Sequence, residues 1–149
     1  MAERDAQAIA AASAEVMLGD DKASAAAGIE LVEVGPGRAT VAMTVRADMV
    51  NGHDIAHGGY VFLLADTAFA VACNSYGQRT VAAGCDIAFV APAHTGDQLT
   101  AEAVERHRAG RSGIYDVAVR RDDGTVVAEL RGRSRTITGT LVPLGGGLS

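Results

Sequence analysis

The hydrophobic pattern in the middle of the chain predicts one long, buried helix. Between Tyr60 and Cys73 the sequence reads YVFLLADTAFAVAC, in which nearly every residue is apolar. A helix that is apolar on almost all sides must be covered by protein on most of them. Gly77 is a signal for the end of the helix. The pattern therefore predicts a helix that continues to about Tyr76 and lies inside the domain.

Six further segments have the alternating or β-branched composition that is typical of strands. Their approximate ranges are 29–34, 38–45, 80–90, 98–107, 113–121 and 125–138. A Gly-Pro-Gly turn separates the first two, and an Asp-Gly step precedes the last, as in β-hairpins. The order of elements contains no alternating βαβ units. It predicts an α+β fold in which an antiparallel sheet wraps around the long helix.

Composition, charge and cysteine usage limit the class of protein. The chain has 149 residues, of which 48% are hydrophobic, which is enough for one core. We expect an N-terminal helical segment at 1–27, one domain at 28–138 and a flexible tail at 139–149. A net charge of -5 favours neither nucleic acid nor an anionic membrane as the main partner. The two cysteines have no metal-ligand spacing, so we expect free thiols, as in a reducing compartment. The first 18 residues lack the apolar core of a signal peptide, so we expect a cytoplasmic protein.

Asp66 is the only acidic or basic residue in the apolar helical segment. It lies four residues after Phe62 and three before Phe69, which places it on the helix face that should be buried. Burial of an unpaired carboxylate is costly, so such a group has either a structural partner or a chemical role. We interpret Asp66 as a functional residue.

Gly58 and Gly59 precede the same helix and suit an oxyanion site. A helix N-terminus presents unpaired N–H groups, and glycine allows a ligand oxygen to approach them; a tight turn is the alternative interpretation. Eight helical residues separate Gly58 from Asp66, a rise of about 12 Å. Both groups would have to lie within about 4 Å of one reacting carbonyl. Two chains with antiparallel helices about a two-fold axis would satisfy that requirement, so we expect a dimer with shared sites.

Residues 51–75, NGHDIAHGGYVFLLADTAFAVACNS, resemble the signature of hotdog-fold acyl-CoA thioesterases of the phenylacetate-degradation (PaaI) type. The similarity extends over roughly residues 28–137. The resemblance implies a homodimer, commonly paired into a homotetramer, that hydrolyses acyl-CoA thioesters without a metal or organic cofactor. Coenzyme A would be part of the substrate.

The resemblance also implies roles for residues of the motif. Asp66 matches the catalytic carboxylate, Gly58 matches the residue whose N–H polarises the thioester carbonyl, and Asn51 and His57 match a polar pair in the pocket. Asp66 could activate water as a general base or attack the carbonyl to form an anhydride. Some relatives have a hydroxyl residue one turn after the carboxylate, where this chain has Ala70. We therefore expect Asn51, rather than a hydroxyl residue, to hold the water.

The predicted substrate contacts lie at the start of the helix, at the end of one strand and in a basic turn. They are Gly59, Tyr60, Phe89, Arg108, Arg111, Ser112 and Gly113. Arginines can pair with the phosphates of coenzyme A, although arginines on a strand are often simply solvated. His53 and His57 have H-x-x-x-H spacing, but the glycines that follow make a helical zinc site a poor interpretation, and we expect no metal.

The sequence thus predicts an acyl-CoA thioesterase that acts on phenylacetyl-CoA, a ring-hydroxylated form of it, or similar medium-sized thioesters. The aromatic preference comes from the resemblance alone. Two alternatives are a hotdog enoyl-CoA hydratase, which would add water across a double bond, and a noncatalytic acyl-CoA sensor.

Overall fold

A computed structural model of the chain describes the backbone of residues 2–144 and side chains from residue 5 onward. Its helices are α1 (Ala2–Gly19), α2 (Lys22–Ala26) and α3 (Gly58–Cys73), with a 3-10 turn at Ala47–Met49. Its strands are β1 (Glu30–Gly35), β2 (Arg38–Thr44), β3 (Gln78–Phe89), β4 (Gln98–Ala109), β5 (Ser112–Arg121) and β6 (Val126–Thr140). All six predicted strands are present, with ends shifted by a few residues.

The strands form one antiparallel sheet in the order β1-β2-β4-β5-β6-β3. Alternate residues of β2 and β5 are buried, because side chains on a strand point to opposite faces of the sheet. Register shifts in β3, β4 and β5 mark irregularities of the kind that bend a strand. The sheet curves around α3, which confirms the predicted α+β arrangement.

The core lies between the inner face of the sheet and α3. Leu64, Ala65, Ala68 and Ala72 of the helix are fully buried. The rings of Phe69 and Tyr115 pack with centroids 5.7 Å apart. Gly132 of β6 makes room for this contact, since a Cβ there would lie 2.7 Å from the Phe69 ring. These contacts fix the rotation of α3 relative to the sheet.

α3 ends at Cys73, three residues earlier than the sequence predicts. The C-cap is Asn74, whose side chain donates to the Ala70 and Thr80 carbonyls and accepts from the Thr80 N–H, each at 2.9 Å. Asn74 is 2% exposed, so these bonds are protected from water. The amide side chain therefore ends the helix and ties it to the first residues of β3.

The two ends of the chain differ in detail from the predicted pattern. The N-terminal segment forms two helices, α1 and the short α2, and Asp21 caps α2 by accepting from the Ser24 N–H at 2.9 Å. β6 continues to Thr140, and the Leu141 N–H donates to the Gly77 carbonyl at 2.7 Å. The first residues of the predicted tail are therefore hydrogen-bonded, while residues 145–149 lie outside the described part.

β3 forms one edge of the sheet and, among residues 2–144, pairs only with β6. It is 12 residues long and much of it is exposed, including Val81 and Phe89, which are 45% and 55% exposed. A long edge with few charges is a ready template for pairing with another strand. Among the described residues, no helix has the length and apolar character needed to span a bilayer.

Candidate active site

Two backbone hydrogen bonds fix the loop that leads into α3. The Ala56 N–H donates to the Ala93 carbonyl and the His57 N–H donates to the Met49 carbonyl, both at 2.7 Å. The first bond ties the loop to the segment after β3, and the second ties it to the end of the 3-10 turn. The N-terminus of α3 is thus held against the end of β3.

At the start of α3, one backbone N–H has no hydrogen-bond acceptor among the described residues. His57 is the N-cap, and its Nδ1 accepts from the Gly59 N–H at 2.9 Å. The N–H of Tyr60 donates to the His57 carbonyl, also at 2.9 Å. Within the described residues, the N–H of Gly58 has no such acceptor. The amide of Gly59 is therefore occupied, whereas that of Gly58 can donate to a ligand at the positive end of the helix dipole.

A cavity of about 570 Å³ opens beside this helix terminus. Its walls are mainly apolar and are formed by Asn51, Ile55, Ala56, Gly58, Val61, Phe89, Val90, Ala91, Pro92, Ala93 and Val127. The ring of Phe89 covers Gly58 closely, since a Cβ on Gly58 would lie 3.2 Å from the Phe89 Cζ atom. The structure thus brings Asn51, Gly58 and Phe89 together. Tyr60 is half-buried against the core and does not line this cavity.

Asn51 presents its amide group from the wall of the cavity. Its Oδ1 accepts from the His53 N–H at 2.9 Å and from the Ile55 N–H at 3.4 Å. These bonds fix the orientation of the side chain and leave Nδ2 with no acceptor among the described residues. Nδ2 can therefore donate to a water or to a substrate oxygen.

Asp66 is only half-buried, whereas the sequence pattern predicts that it lies on the buried face of the helix. It shares a partly exposed stripe with Phe62, Leu63 and Ala70, whereas Phe69 lies on the buried face. The described part of the chain leaves this stripe partly open to solvent. Burial raises the pKa of the Asp66 carboxyl above its usual value, and the nearby Asp21 raises it further. Among the described residues, Asp66 has no ion-pair partner and no side-chain hydrogen bond.

Asp66 and Gly58 do not meet in one chain. Asp66 is not among the residues that line the cavity, and the α-helical rise separates the two positions by about 12 Å. The stripe that carries Asp66 lies on α3, and β3 is one of the two edge strands of the sheet, with β1 at the opposite edge.

The predicted basic turn lies near the other end of α3. The Arg108 guanidinium stacks 3.5 Å from the centre of the Tyr76 ring and lies 3.7 Å from a Glu105 oxygen. Arg111 and Ser112 are exposed. Gly113 is buried, with no room for a Cβ because Ser134 Oγ would be 2.7 Å away. The turn can present cations to a ligand, while Gly113 serves packing.

The two histidines with H-x-x-x-H spacing do not share a helix. His53 lies in a turn, and His57 caps α3 through Nδ1. Among the described residues, no group of three or more His, Cys, Asp or Glu side chains is arranged to hold a metal ion. The expectation of an enzyme without a metal or organic cofactor stays a prediction.

Sequence reasoning missed three residues beside Asp66, namely Asp21, Ser24 and Thr67. The Ser24 and Thr67 hydroxyls lie 2.9 Å apart, although 43 positions separate them in the sequence. The spacing of Asp21 and Ser24, three residues apart, is typical of a helix cap and could have predicted the start of α2. Nothing in the sequence, however, indicates that this cap lies against α3.

The fold and the helix-terminus site define a class of protein, and comparison with known proteins agrees. The chain belongs to the thioesterase superfamily, whose family model matches residues 53–128. It is a thioester hydrolase, and the predicted hotdog fold and PaaI-type family are confirmed.

Individual relatives give the same result. Acyl-coenzyme A thioesterase PaaI of Escherichia coli is 45% identical over 129 residues, which cover 87% of this chain and 92% of the relative. The E. coli PaaI structure superposes with a TM-score of 0.88 at 44% identity, covering 90% of this chain and 97% of that one. A mutant of the phenylacetic acid degradation protein PaaI from Thermus thermophilus gives a TM-score of 0.76 at 37% identity, covering 78% of this chain and 100% of that one. The protein smu.793 of Streptococcus mutans, bound to acetyl CoA, gives 0.71 at 25% identity, covering 75% and 90%.

Proposed function

We propose that this thioester hydrolase acts on acyl-CoA, with phenylacetyl-CoA, ring-hydroxylated phenylacetyl-CoA or similar medium-sized thioesters as its preferred substrates. Two observations on α3 carry the proposal: among the described residues, the Gly58 amide at an apolar cavity has no acceptor, and the half-buried Asp66 has no ion-pair partner. The name of the E. coli relative and the acetyl CoA bound to the S. mutans protein support the substrate class. We expect the enzyme to act in the cytoplasm.

The proposed active site requires two chains. Within the described residues, edge strand β3 leaves a row of backbone groups without partners, and the stripe that contains Asp66 on the neighbouring helix is only partly covered. Pairing of two β3 strands about a two-fold axis would satisfy the edge and place two α3 helices side by side and antiparallel. Gly58 of one chain would then face the partner subunit's Asp66. We expect this homodimer to be the catalytic unit, and two such dimers to form a homotetramer.

Hydrolysis in this arrangement needs one base and one oxyanion donor. The thioester carbonyl oxygen accepts from the Gly58 N–H, which stabilises the negative charge that develops on it. The partner subunit's Asp66 removes a proton from water as the water oxygen bonds to the carbonyl carbon, and Asn51 Nδ2 donates to that water. The C–S bond then breaks, and the departing thiolate of coenzyme A takes up the proton. A thiolate is a good leaving group, so no Ser-His-Asp triad is required.

The basic turn fits the same two-chain geometry. Arg108 and Arg111 lie toward the C-terminal end of α3, so in an antiparallel pair they would approach the N-terminal end of the partner's helix. Arginine is well suited to bind phosphates such as those of coenzyme A. Phe89 and the apolar wall beside Gly58 would contact the acyl group.

Release of free coenzyme A from a panel of acyl-CoA thioesters tests the proposal. Asp66→Asn should lower turnover by at least about 100-fold, as expected when a principal acid-base group is lost. An enoyl-CoA hydratase would hydrate its substrate without releasing coenzyme A, and a sensor would bind acyl-CoA without turnover. Normal turnover by Asp66→Asn would reject the assigned role.

A further inference from the structure

A chain of short hydrogen bonds joins the N-terminal segment to the middle of α3. The Ser24 hydroxyl lies 2.6 Å from Asp21 Oδ2, to which it donates, and 2.9 Å from Thr67 Oγ1. Because the Ser24 proton goes to Asp21, the single proton of the Thr67 hydroxyl donates either to Ser24 Oγ or to the Leu63 carbonyl, which lies 2.8 Å away. Ser24 and Thr67 are 1% and 4% exposed, so water does not compete strongly for these bonds. The chain therefore anchors the cap of α2 against one turn of α3.

That turn of α3 carries Asp66, the residue next to Thr67. The titratable groups close enough to interact electrostatically with Asp66 are Asp21 from the cap of α2, Cys73 from α3 itself and Cys85 from β3, and none of these is a cation. On the strands, Asp86 and Arg133 interact with Cys85, and Tyr115 interacts with Cys73. Tyr115 in turn has Glu105 and Tyr76 as neighbours. Asp66 thus has a second carboxylate as a neighbour and no compensating charge beside it in the described part of the chain.

Building on the proposed function, we propose that Asp21 is a positioning residue of the active site, held by Ser24 and Thr67 so that its negative charge adjoins Asp66. A neighbouring negative charge disfavours ionisation, and its effect adds to that of burial in raising the pKa of Asp66. A carboxylate with a higher pKa is a stronger base, provided that it is ionised at the working pH. The N-terminal segment is then part of the catalytic unit.

The variant Asp21→Asn tests the charge while keeping the helix cap. Asparagine caps helices about as well as aspartate, and its Nδ2 can donate to the Ser24 hydroxyl, which can then donate to Thr67. Asp20→Asn is the matched control, because Asp20 is the exposed neighbour and loses the same charge. Removal of the Asp21 charge makes Asp66 easier to ionise. The acid limb of the kcat/KM profile should therefore move to lower pH in Asp21→Asn and stay in place in Asp20→Asn.

A second readout does not depend on activity. The carboxyl ¹³C signal of Asp66, assigned with Asp66→Asn, should titrate with a lower midpoint in full-length Asp21→Asn than in the wild-type protein or Asp20→Asn. A midpoint equal to that of the wild type, or an equal shift in Asp20→Asn, would overturn the proposal. If the wild type releases no coenzyme A, the proposed function fails and the ¹³C titration still decides the role of Asp21. If Asp66→Asn is inactive but Asp21→Asn keeps the wild-type midpoint, the proposed function stands and this inference fails.

Discussion

Replacement of Gly58 by proline tests the oxyanion donor with little change to the helix. Gly58 is the first residue of α3, where proline is favoured because the N–H has no intrahelical acceptor. The preceding His57 has φ -61° and ψ 133°, which is the backbone region that a residue before proline prefers. Gly58→Pro thus removes the proposed donor at a position where the backbone already suits proline.

Gly58→Ala is the matched control, since it adds a Cβ but keeps the N–H. In either variant the new Cβ would lie about 3.2 Å from Phe89 Cζ, so the ring must move by a few tenths of an ångström. Phe89 is 55% exposed and has room to move. Each substitution also stiffens the unfolded chain, a stabilising effect of about 0.4–1 kcal/mol that should offset the contact. We therefore expect both variants to fold, with similar melting temperatures.

The activities of the two variants should differ widely. Loss of one oxyanion donor typically lowers kcat by about 10²–10³-fold, or about 2.7–4 kcal/mol, so Gly58→Pro should fall that far below Gly58→Ala. Coenzyme A should be quantified by chromatography, because the free thiol of Cys85 is only partly buried and could react with thiol reagents. Activity close to that of the wild type in both variants would refute the assigned role of the Gly58 amide. An equally large loss in both would instead identify crowding against Phe89 as the cause.

Two other substitutions test the electrostatics of the site. Because the pKa of Asp66 is raised in the folded chain, the stability linked to its bound proton is present at low pH and is lost as the pH rises through that pKa. Asp66→Asn should therefore melt at a higher temperature than the wild type at pH 7. The difference in melting temperature should narrow as the pH falls toward 3.8, the ordinary pKa of an aspartate side chain. A lower melting temperature for Asp66→Asn than for the wild type at pH 7 would contradict this. Arg111→Ala should raise KM for acyl-CoA by about tenfold at low salt with little change in kcat, as expected when one charge-assisted phosphate contact is lost. Arg120→Ala is its exposed control on β5, and an equal rise in KM for both variants would count against a specific phosphate contact.

The sequence predicts those features of this fold that depend on local pattern. The apolar run identifies α3, and alternation identifies the strands, because both reflect which faces are buried. Asp66 stands out because it is a single charge in an apolar helix. The half-exposed position of Asp66 does not follow from the pattern. A helix face that a second chain would cover has the same apolar sequence pattern as a face that the same chain covers.

Other features depend on contacts between distant residues. The end of α3 at Cys73 depends on the two hydrogen bonds between the Asn74 side chain and the Thr80 backbone. The approach of Asp21 to Asp66 depends on the packing of α2 against α3 through Ser24. Occupation of the Gly59 amide requires one orientation of the capping His57 ring. Such contacts form only in the folded chain, so no short sequence pattern encodes them.

In the proposed dimer, each active site takes Gly58 from one chain and Asp66 from the other. Gly58→Pro and Asp66→Asn should each be nearly inactive, because each damages every site of its own homodimer. When equal amounts of the two variants are denatured together and refolded, about half of the dimers should be mixed, and each mixed dimer should contain one intact site. Because half of the dimers then have one intact site out of two, we expect recovery of about one quarter of the wild-type activity. Activity that stays at the level of the separate variants, although mixed dimers have formed, would contradict it.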